Sequence, residues 1–120
     1  GKRAKWLSSY EIACVDENGN FAEVGRASTG LKEKEEEGLS FMEMTKRLKP
    51  LIISGKGKEV KVKPKIVIEV GYEEIQKSPT YTSGFALRFP RVIQIREDKG
   101  PDDASTLDYV KKLYAGQKKS

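Results

Sequence analysis

The 120-residue sequence contains no histidine, a single cysteine, and no apolar run that approaches the roughly 18 residues of a membrane-spanning helix. The lack of histidine excludes acid–base catalysis by imidazole within this chain, and a single cysteine excludes a disulfide framework or a zinc site. No signal-peptide pattern opens the sequence. These absences favour a reducing, cytoplasmic location, in which we expect Cys14 to be a small buried side chain.

Charge is what the sequence has in abundance. Charged residues make up 34% of the chain and hydrophobic residues 37%, which is enough to bury a core beneath a strongly charged surface. The formal net charge of +5 suits a polyanionic partner. The lysines concentrate in one segment, at Lys56, Lys58, Lys61, Lys63 and Lys65, whereas residues 31–37 are rich in glutamate. We therefore expect a basic side and an acidic side.

The length predicts one domain, spanning residues 1–120. No internal repeat or low-complexity linker divides it. Because the sequence does not begin with methionine, we interpret this domain as part of a longer protein.

Two strands and a hairpin open the predicted fold, and a helix follows. Strands are expected over residues 7–15 and 21–27, and the Asn18-Gly19 pair between them is a strong hairpin signal. Ser40 and Glu43 have the spacing of a capping box, which predicts a helix that ends near Pro50. Its apolar stripe consists of Phe41, Met44, Leu48 and Leu51. Core packing is the expected role of this stripe, with a partner-binding face as the alternative.

The second half of the chain predicts three more strands and a terminal helix. A short strand is expected at residues 60–62, a clearer one at 66–70, and a last one over 84–96 that Pro90 interrupts. A helix begins near residues 105–108 and ends at Gly116. Five short strands with one inserted helix and a terminal helix best match a mainly β, OB-fold-like five-stranded barrel.

The last predicted strand carries the densest group of phosphate-binding side chains. Three of the six arginines lie within nine residues, at Arg88, Arg91 and Arg96. An arginine, a carboxylate and a lysine together at Arg96, Asp98 and Lys99 are suited to holding phosphate oxygens. The alternative is a solvated cluster of surface ion pairs.

The period of two along this strand predicts its two faces. One face would carry Val92, Gln94, Arg96 and Asp98. Ile93 and Ile95 lie on the opposite face, and we expect them to anchor the strand in the barrel.

The sequence resembles the carboxy-terminal OB-fold domain of archaeal-type ATP-dependent DNA ligases. Arg96-Glu-Asp-Lys99 is similar to the last motif of that family. Further similar segments occur in order: Arg3 with Leu7-Ser-Ser9, Asp16 and Gly19, Val24-Gly-Arg26, Thr29-Gly30, Leu48-Lys-Pro-Leu51, residues 64–69, residues 83–91, and Asp103-Ala-Ser-Thr106. One departure is Gln94, where relatives often have arginine, and we assign it no phosphate contact.

The resemblance implies roles for two groups of residues. Arg96, Asp98 and Lys99 would be catalytic, orienting the β and γ phosphates of ATP during enzyme adenylation. DNA-binding residues would be Arg88, Phe89, Arg91, Lys61 and Lys63, with Phe89 as a wedge in the minor groove near a nick. A core aromatic is the alternative for Phe89, and a lysine-protected edge strand is the alternative for the lysines.

The resemblance also implies cofactors and partners. ATP and magnesium would serve the parent enzyme, with none bound by the isolated domain and no metal site in this chain. The partners would be nicked duplex DNA, the nucleotidyltransferase domain of the same chain and, through other domains, a sliding clamp, in DNA replication, repair and recombination. No membrane partner is expected.

Two other functions remain open on the sequence alone. One is an autonomous OB-type nucleic-acid-binding module, against which the low aromatic content of 8% argues, since binders of single strands need stacking platforms. The other is a protein-interaction module.

The isolated chain should form no covalent adenylate. It contains no Lys-x-Asp-Gly element, and in the family that this chain resembles this element supplies the lysine nucleophile. Incubation with labelled ATP and magnesium, followed by denaturing gel electrophoresis, should leave the chain unlabelled, and a labelled band would show that a nucleophile has been overlooked.

Overall fold

The computed structural model describes residues 9–27, 41–56 and 59–117. The strands are β1 (Tyr10–Val15), β2 (Phe21–Ala27), β3 (Ile52–Lys56), β4 (Glu59–Val62), β5 (Ile68–Gly71), β6 (Glu74–Lys77), β7 (Phe85–Arg88) and β8 (Arg91–Ile95). The α-helices are α1 (Phe41–Leu48) and α2 (Leu107–Ala115), with 3₁₀ turns over Lys49–Leu51 and Pro101–Asp103. Several predicted features lie outside the described residues: Arg3, the strand start at Leu7, Thr29-Gly30, the acidic segment 31–37, the cap Ser40, and Lys58.

The described strands form four antiparallel pairs, β1–β2, β3–β4, β5–β8 and β6–β7. The mainly β class, the inserted helix and the C-terminal helix are confirmed. In the described part of the chain the pairs do not join into one closed ladder. The strands are also more finely divided than predicted, because β3 and β6 were not expected and the last strand is two strands with different partners.

A single apolar core connects these pairs. Its buried members among the described residues are Tyr10, Ile12, Cys14, Ala22, Val24, Ala27, Met44, Leu48, Ile75, Val92 and Val110. The predicted burial of Cys14 is confirmed, and burial raises the pKa of its thiol. Core packing is likewise confirmed for Met44 and Leu48 of α1, and α2 buries Val110 against the same core.

The predicted hairpin turn and the predicted limits of the terminal helix are confirmed. Asp16 accepts hydrogen bonds from the N–H groups of Asn18 and Asn20, and Gly19 adopts a left-handed φ of 81° in the hairpin between β1 and β2. Thr106 caps α2 by accepting from the N–H of Tyr109 at 3.1 Å, and the helix ends at Gly116.

A β-bulge in β8 makes the predicted faces of this strand wrong at Val92 and Ile93. Glu69 pairs with Gln94 and Val70 with Val92, so Ile93 is the extra residue between them. An extra residue reverses the alternation on one side of the bulge. Val92 therefore points into the core at 1% exposure, whereas Ile93 is 47% exposed. Ile95, beyond the bulge, packs against the core as expected.

Two polar side chains connect separate elements of the fold. The Gln117 amide follows α2 and pairs with both backbone groups of Ile75, accepting from its N–H and donating to its carbonyl at 2.8 Å. Buried Ser83 donates to the carbonyl of Glu23 at 2.6 Å and accepts from the N–H of Phe85 at 3.1 Å. Ser83 thereby joins the start of β7 to β2.

Ser83→Ala should lower the free energy of unfolding by about 1–3 kcal/mol, because it leaves a partly buried carbonyl and a partly buried N–H without their partner. Urea denaturation followed by circular dichroism would measure the loss. Ser54→Ala is the matched control, since Ser54 is exposed and its side chain forms no hydrogen bond with a described residue. Equal stabilities for the two variants would contradict the structural role of Ser83.

Candidate functional site

The Arg96–Lys99 turn begins where the β5–β8 pair ends. The N–H of Arg96 donates to the carbonyl of Val67 at 2.8 Å, so the pairing continues one residue beyond each strand. Gln94 donates from its side chain to Glu69 Oε1 at 2.6 Å, across the same pair. The paired backbone thus sets the direction in which the chain enters the turn.

Arg96 and Asp98 form a fork of two hydrogen bonds within this turn. Arg96 Nε donates to Asp98 Oδ1 at 3.0 Å, and Nη2 donates to Oδ2 at 2.8 Å. Hydrogen bonding to Asp98 raises the pKa of the Arg96 guanidinium, and the same bonds hold the pKa of the Asp98 carboxyl below its usual value. The fork orients the guanidinium and leaves its Nη1 donors unused by any described residue.

Lys99 lies on the exposed side of the same turn. Its N–H donates to the carbonyl of Arg96 at 3.3 Å, while its side chain forms no ion pair with any residue that the structure describes. The N–H of Gly100 donates to the carboxylate of Asp103 at 3.1 Å, which redirects the chain directly after Lys99. The turn therefore presents an available ammonium beside a firmly held guanidinium.

Arg47 of helix α1 also reaches this turn, a contact that sequence reasoning missed. Its Nη1 pairs with Glu97, and its Nε donates to Glu43 Oε1 at 3.2 Å. Hydrogen bonds to Glu97 and then to Glu43 raise the pKa of the Arg47 guanidinium. The four-residue spacing of Glu43 and Arg47 is visible in the helix, but no pattern in the sequence connects Arg47 with Glu97.

A second group of predicted site residues lies at the corner between β7 and β8, which we call the Arg88–Arg91 corner. Phe89 is 63% exposed there, so the alternative of a core aromatic is wrong. Its φ of 50° lies in the left-handed region, which is strained for a bulky residue, and Pro90 follows it directly. Strain of this kind persists only where surrounding contacts impose it, and it is frequent at functional sites.

Both arginines of the corner are positioned by residues that the sequence did not suggest. Arg88 Nη1 donates to Glu74 Oε1 at 3.1 Å, and its guanidinium carbon lies 5.1 Å from the centroid of the Phe89 ring. Arg91 lies over Gly71, where an added Cβ would come within 3.2 Å of Arg91 Nε. Gly71 thus leaves room for the guanidinium.

Lys61 and Lys63 are exposed and lie in and just after β4, in the β3–β4 segment. Among the described residues no hydrogen bond or ion pair joins these side chains to the Arg96–Lys99 turn or to the Arg88–Arg91 corner. The candidate DNA-binding residues are therefore divided between two strand systems.

The donor set of the turn does not fit a resident magnesium ion. Its two carboxylates, Glu97 and Asp98, are each held by an arginine. The described ranges contain no group of three or more aspartate, glutamate, histidine or cysteine side chains arranged to hold a metal. Nor does any helix in them have the length and apolar character needed to cross a membrane.

With this geometry established, comparison with known proteins identifies the family. Residues 3–99 match the family described as the ATP dependent DNA ligase C terminal region. DNA ligase from Nanoarchaeum equitans is 53% identical over 98% of this chain, which corresponds to 21% of that protein. DNA ligase from Archaeoglobus fulgidus is 50% identical over 95% of the chain and 20% of that protein, and DNA ligase from Thermococcus onnurineus 48% identical over 99% and 20%.

The chain therefore belongs to the family of C-terminal regions of ATP-dependent DNA ligases. It spans about a fifth of the length of these curated relatives. The family resemblance read from the sequence is confirmed.

The Asp98 carboxyl should titrate below the usual value for aspartate, about 3.9. Its pKa is lowered in the folded chain, so the contribution of the fork to stability is fully present above the unfolded-state pKa and is lost as the pH falls through the folded-state pKa. Carbon-detected NMR titration of the side-chain carboxyls would measure this. Arg96→Gln should return the pKa of Asp98 toward its usual value, and an unchanged pKa in that variant would show that the fork is not its cause.

Proposed function

We propose that this chain is the C-terminal domain of an ATP-dependent DNA ligase that acts at two steps. In the first, the Arg96–Lys99 turn orients the ATP phosphates during adenylation of a lysine in the nucleotidyltransferase domain. In the second, the Arg88–Arg91 corner holds nicked duplex DNA through its minor groove. The observation that carries the proposal is the fork-held Arg96 beside an available Lys99, in a chain of this family.

In the adenylation step the role of the turn is electrostatic. When the α phosphate is attacked, negative charge accumulates on the departing pyrophosphate, and fixed cations placed there lower the barrier. Arg96 can donate through Nη1 while Asp98 keeps hold of Nε and Nη2. Lys99 adds a point charge on a flexible stem. Closure of the domain over the nucleotide would bring both to the phosphates and exclude water.

Magnesium enters this proposal only as a companion of the nucleotide. The carboxylates of the turn are both held by arginines, so they offer no ligand set for the ion. We assign its binding to the rest of the parent enzyme.

In the DNA-bound step the corner offers one apolar and two cationic side chains. Phe89 projects from a strained turn at 63% exposure, which suits an aromatic that inserts between base pairs at the minor groove. Arg88 and Arg91, on either side, would contact phosphates and groove edges. Lys61 and Lys63 would add backbone contacts from the β3–β4 segment, which strengthen binding without reading sequence.

We further propose that residues 1–120 act as one domain that is inactive in isolation. The lysine nucleophile would come from the nucleotidyltransferase domain of the same protein, which acts on nicked duplex DNA. The coverage of a fifth of each relative supports this division of labour.

Variants of the parent enzyme should separate the two steps. Arg96→Ala or Lys99→Ala should slow enzyme adenylation by about 10²–10³-fold, the usual loss when one preorganised donor to developing charge is removed. Sealing of a pre-adenylated nick should be affected much less, because pyrophosphate has already left. Phe89→Ala should show the reverse, with normal adenylation and slow sealing. Single-turnover measurement of each step provides the test.

Matched controls are available for both side-chain types. Lys77→Ala removes an exposed lysine at the end of β6, and Phe21→Ala removes a 43% exposed aromatic of β2. Both should leave the two steps near normal. If Arg96→Ala is adenylated at the normal rate, the proposed phosphate role of the turn is wrong, and Arg96 and Asp98 form only a surface ion pair.

A further inference from the structure

The Arg96–Lys99 turn has no net charge of its own. Arg96 and Lys99 contribute two positive charges, and Glu97 and Asp98 contribute two negative charges. A phosphate oxygen is bound more readily by a cation whose charge is not already paired with a carboxylate. For one of the two cations of the turn to be unpaired, a cation from elsewhere must hold one of the two carboxylates.

The structure supplies that cation from a different element. Asp98 forms an ion pair with Arg96, and Glu97 forms an ion pair with Arg47 of α1. With both carboxylates engaged, Lys99 is left without an ion pair among the described residues. Arg47 also holds Glu43, so the three cations and three carboxylates of the cluster are in balance, and Lys99 is the cation that is not paired with a described carboxylate.

Arg47 is held in place independently of the turn. Helix α1 is anchored in the core by Met44 at 2% exposure and Leu48 at 8%. Arg47 is further fixed by its bond to Glu43, one helical turn earlier. The position of the Arg47 guanidinium is therefore set by the core and by helix α1, and does not depend on its pair with Glu97.

The pair with Glu97 is not needed to shape the turn. Backbone bonds from Arg96 to Val67 and from Lys99 to Arg96 define the path of the chain, and the Asp98 fork braces it. The Glu97 side chain is 65% exposed and lies two residues before Lys99. Without Arg47 this carboxylate would be free to pair with Lys99. The contribution of Arg47 is thus electrostatic.

We propose that Arg47 is a positioning residue that holds the Glu97 carboxylate away from Lys99 and so keeps Lys99 available to the triphosphate. This inference rests on the proposed role of the turn in adenylation. It adds a residue of the inserted helix to the phosphate site.

A rescue experiment in the parent ligase tests it. Arg47→Gln should lower kcat/KM for ATP in the adenylation step by roughly two- to fivefold, the range of an exposed charge pair. Adding Glu97→Gln to that variant should restore the rate, because no carboxylate is left to occupy Lys99. Glu97→Gln alone should adenylate at least as well as the unaltered enzyme. The Arg47→Gln defect should also shrink as salt is raised, since salt screens the competing pair.

Arg26→Gln is the matched control, because it breaks another exposed arginine–glutamate pair, Arg26–Glu11 at 3.1 Å. It should leave adenylation unchanged. Normal adenylation by Arg47→Gln overturns the inference. A defect that Glu97→Gln does not rescue also overturns it, and this includes a defect caused by misfolding of Arg47→Gln. Lys99→Ala separates this failure from failure of the proposed function. If Lys99→Ala is slow while Arg47→Gln is normal, only this inference falls, and if Lys99→Ala is normal, both fall.

Discussion

The pairing of β5 with β8 is the constraint on which both candidate clusters depend. Strand β8 begins at Arg91 in the Arg88–Arg91 corner and ends at Ile95, next to the Arg96–Lys99 turn. Five residues of antiparallel strand span about 17 Å, so the clusters occupy opposite ends of one short, hydrogen-bonded segment. Because Val92 anchors that segment in the core, we expect the two clusters to move together. On the proposed function, a change from nucleotide to DNA is then a reorientation of the whole domain.

Arginine–carboxylate pairs organise the charge on this surface. Arg47, Arg88 and Arg96 each hold a carboxylate, and both side chains of every one of these pairs are more than one-third exposed. Exposed pairs of this kind add little to stability. Their effect is to orient guanidinium groups and to occupy carboxylates. Positive charge is thereby left to cations such as Lys99, which have no ion-pair partner in the described part of the chain.

Prediction from sequence succeeded where the signal was local. The Asn18-Gly19 hairpin and both helices follow from residues within a few positions of one another. It failed for β6, whose single core residue, Ile75, gives no alternation to detect. It also failed for β3, where Ile52 and Ile53 are adjacent and both exposed. These two strands form because their partners, β4 and β7, are present, and the residues of a strand do not indicate which segment pairs with it.

The family, the mainly β class, the inserted and terminal helices, and the residue types at the Arg96–Lys99 turn follow from the sequence alone. The arrangement of those residues depends on tertiary packing. The bulge at Ile93 depends on register against β5, and a shift of one residue reverses the face of a strand. The exposure of Phe89 and the pairing of Arg47 with Glu97 depend on packing between distant segments. Sequence periodicity records the geometry of one element, whereas these contacts are set by how separate elements meet.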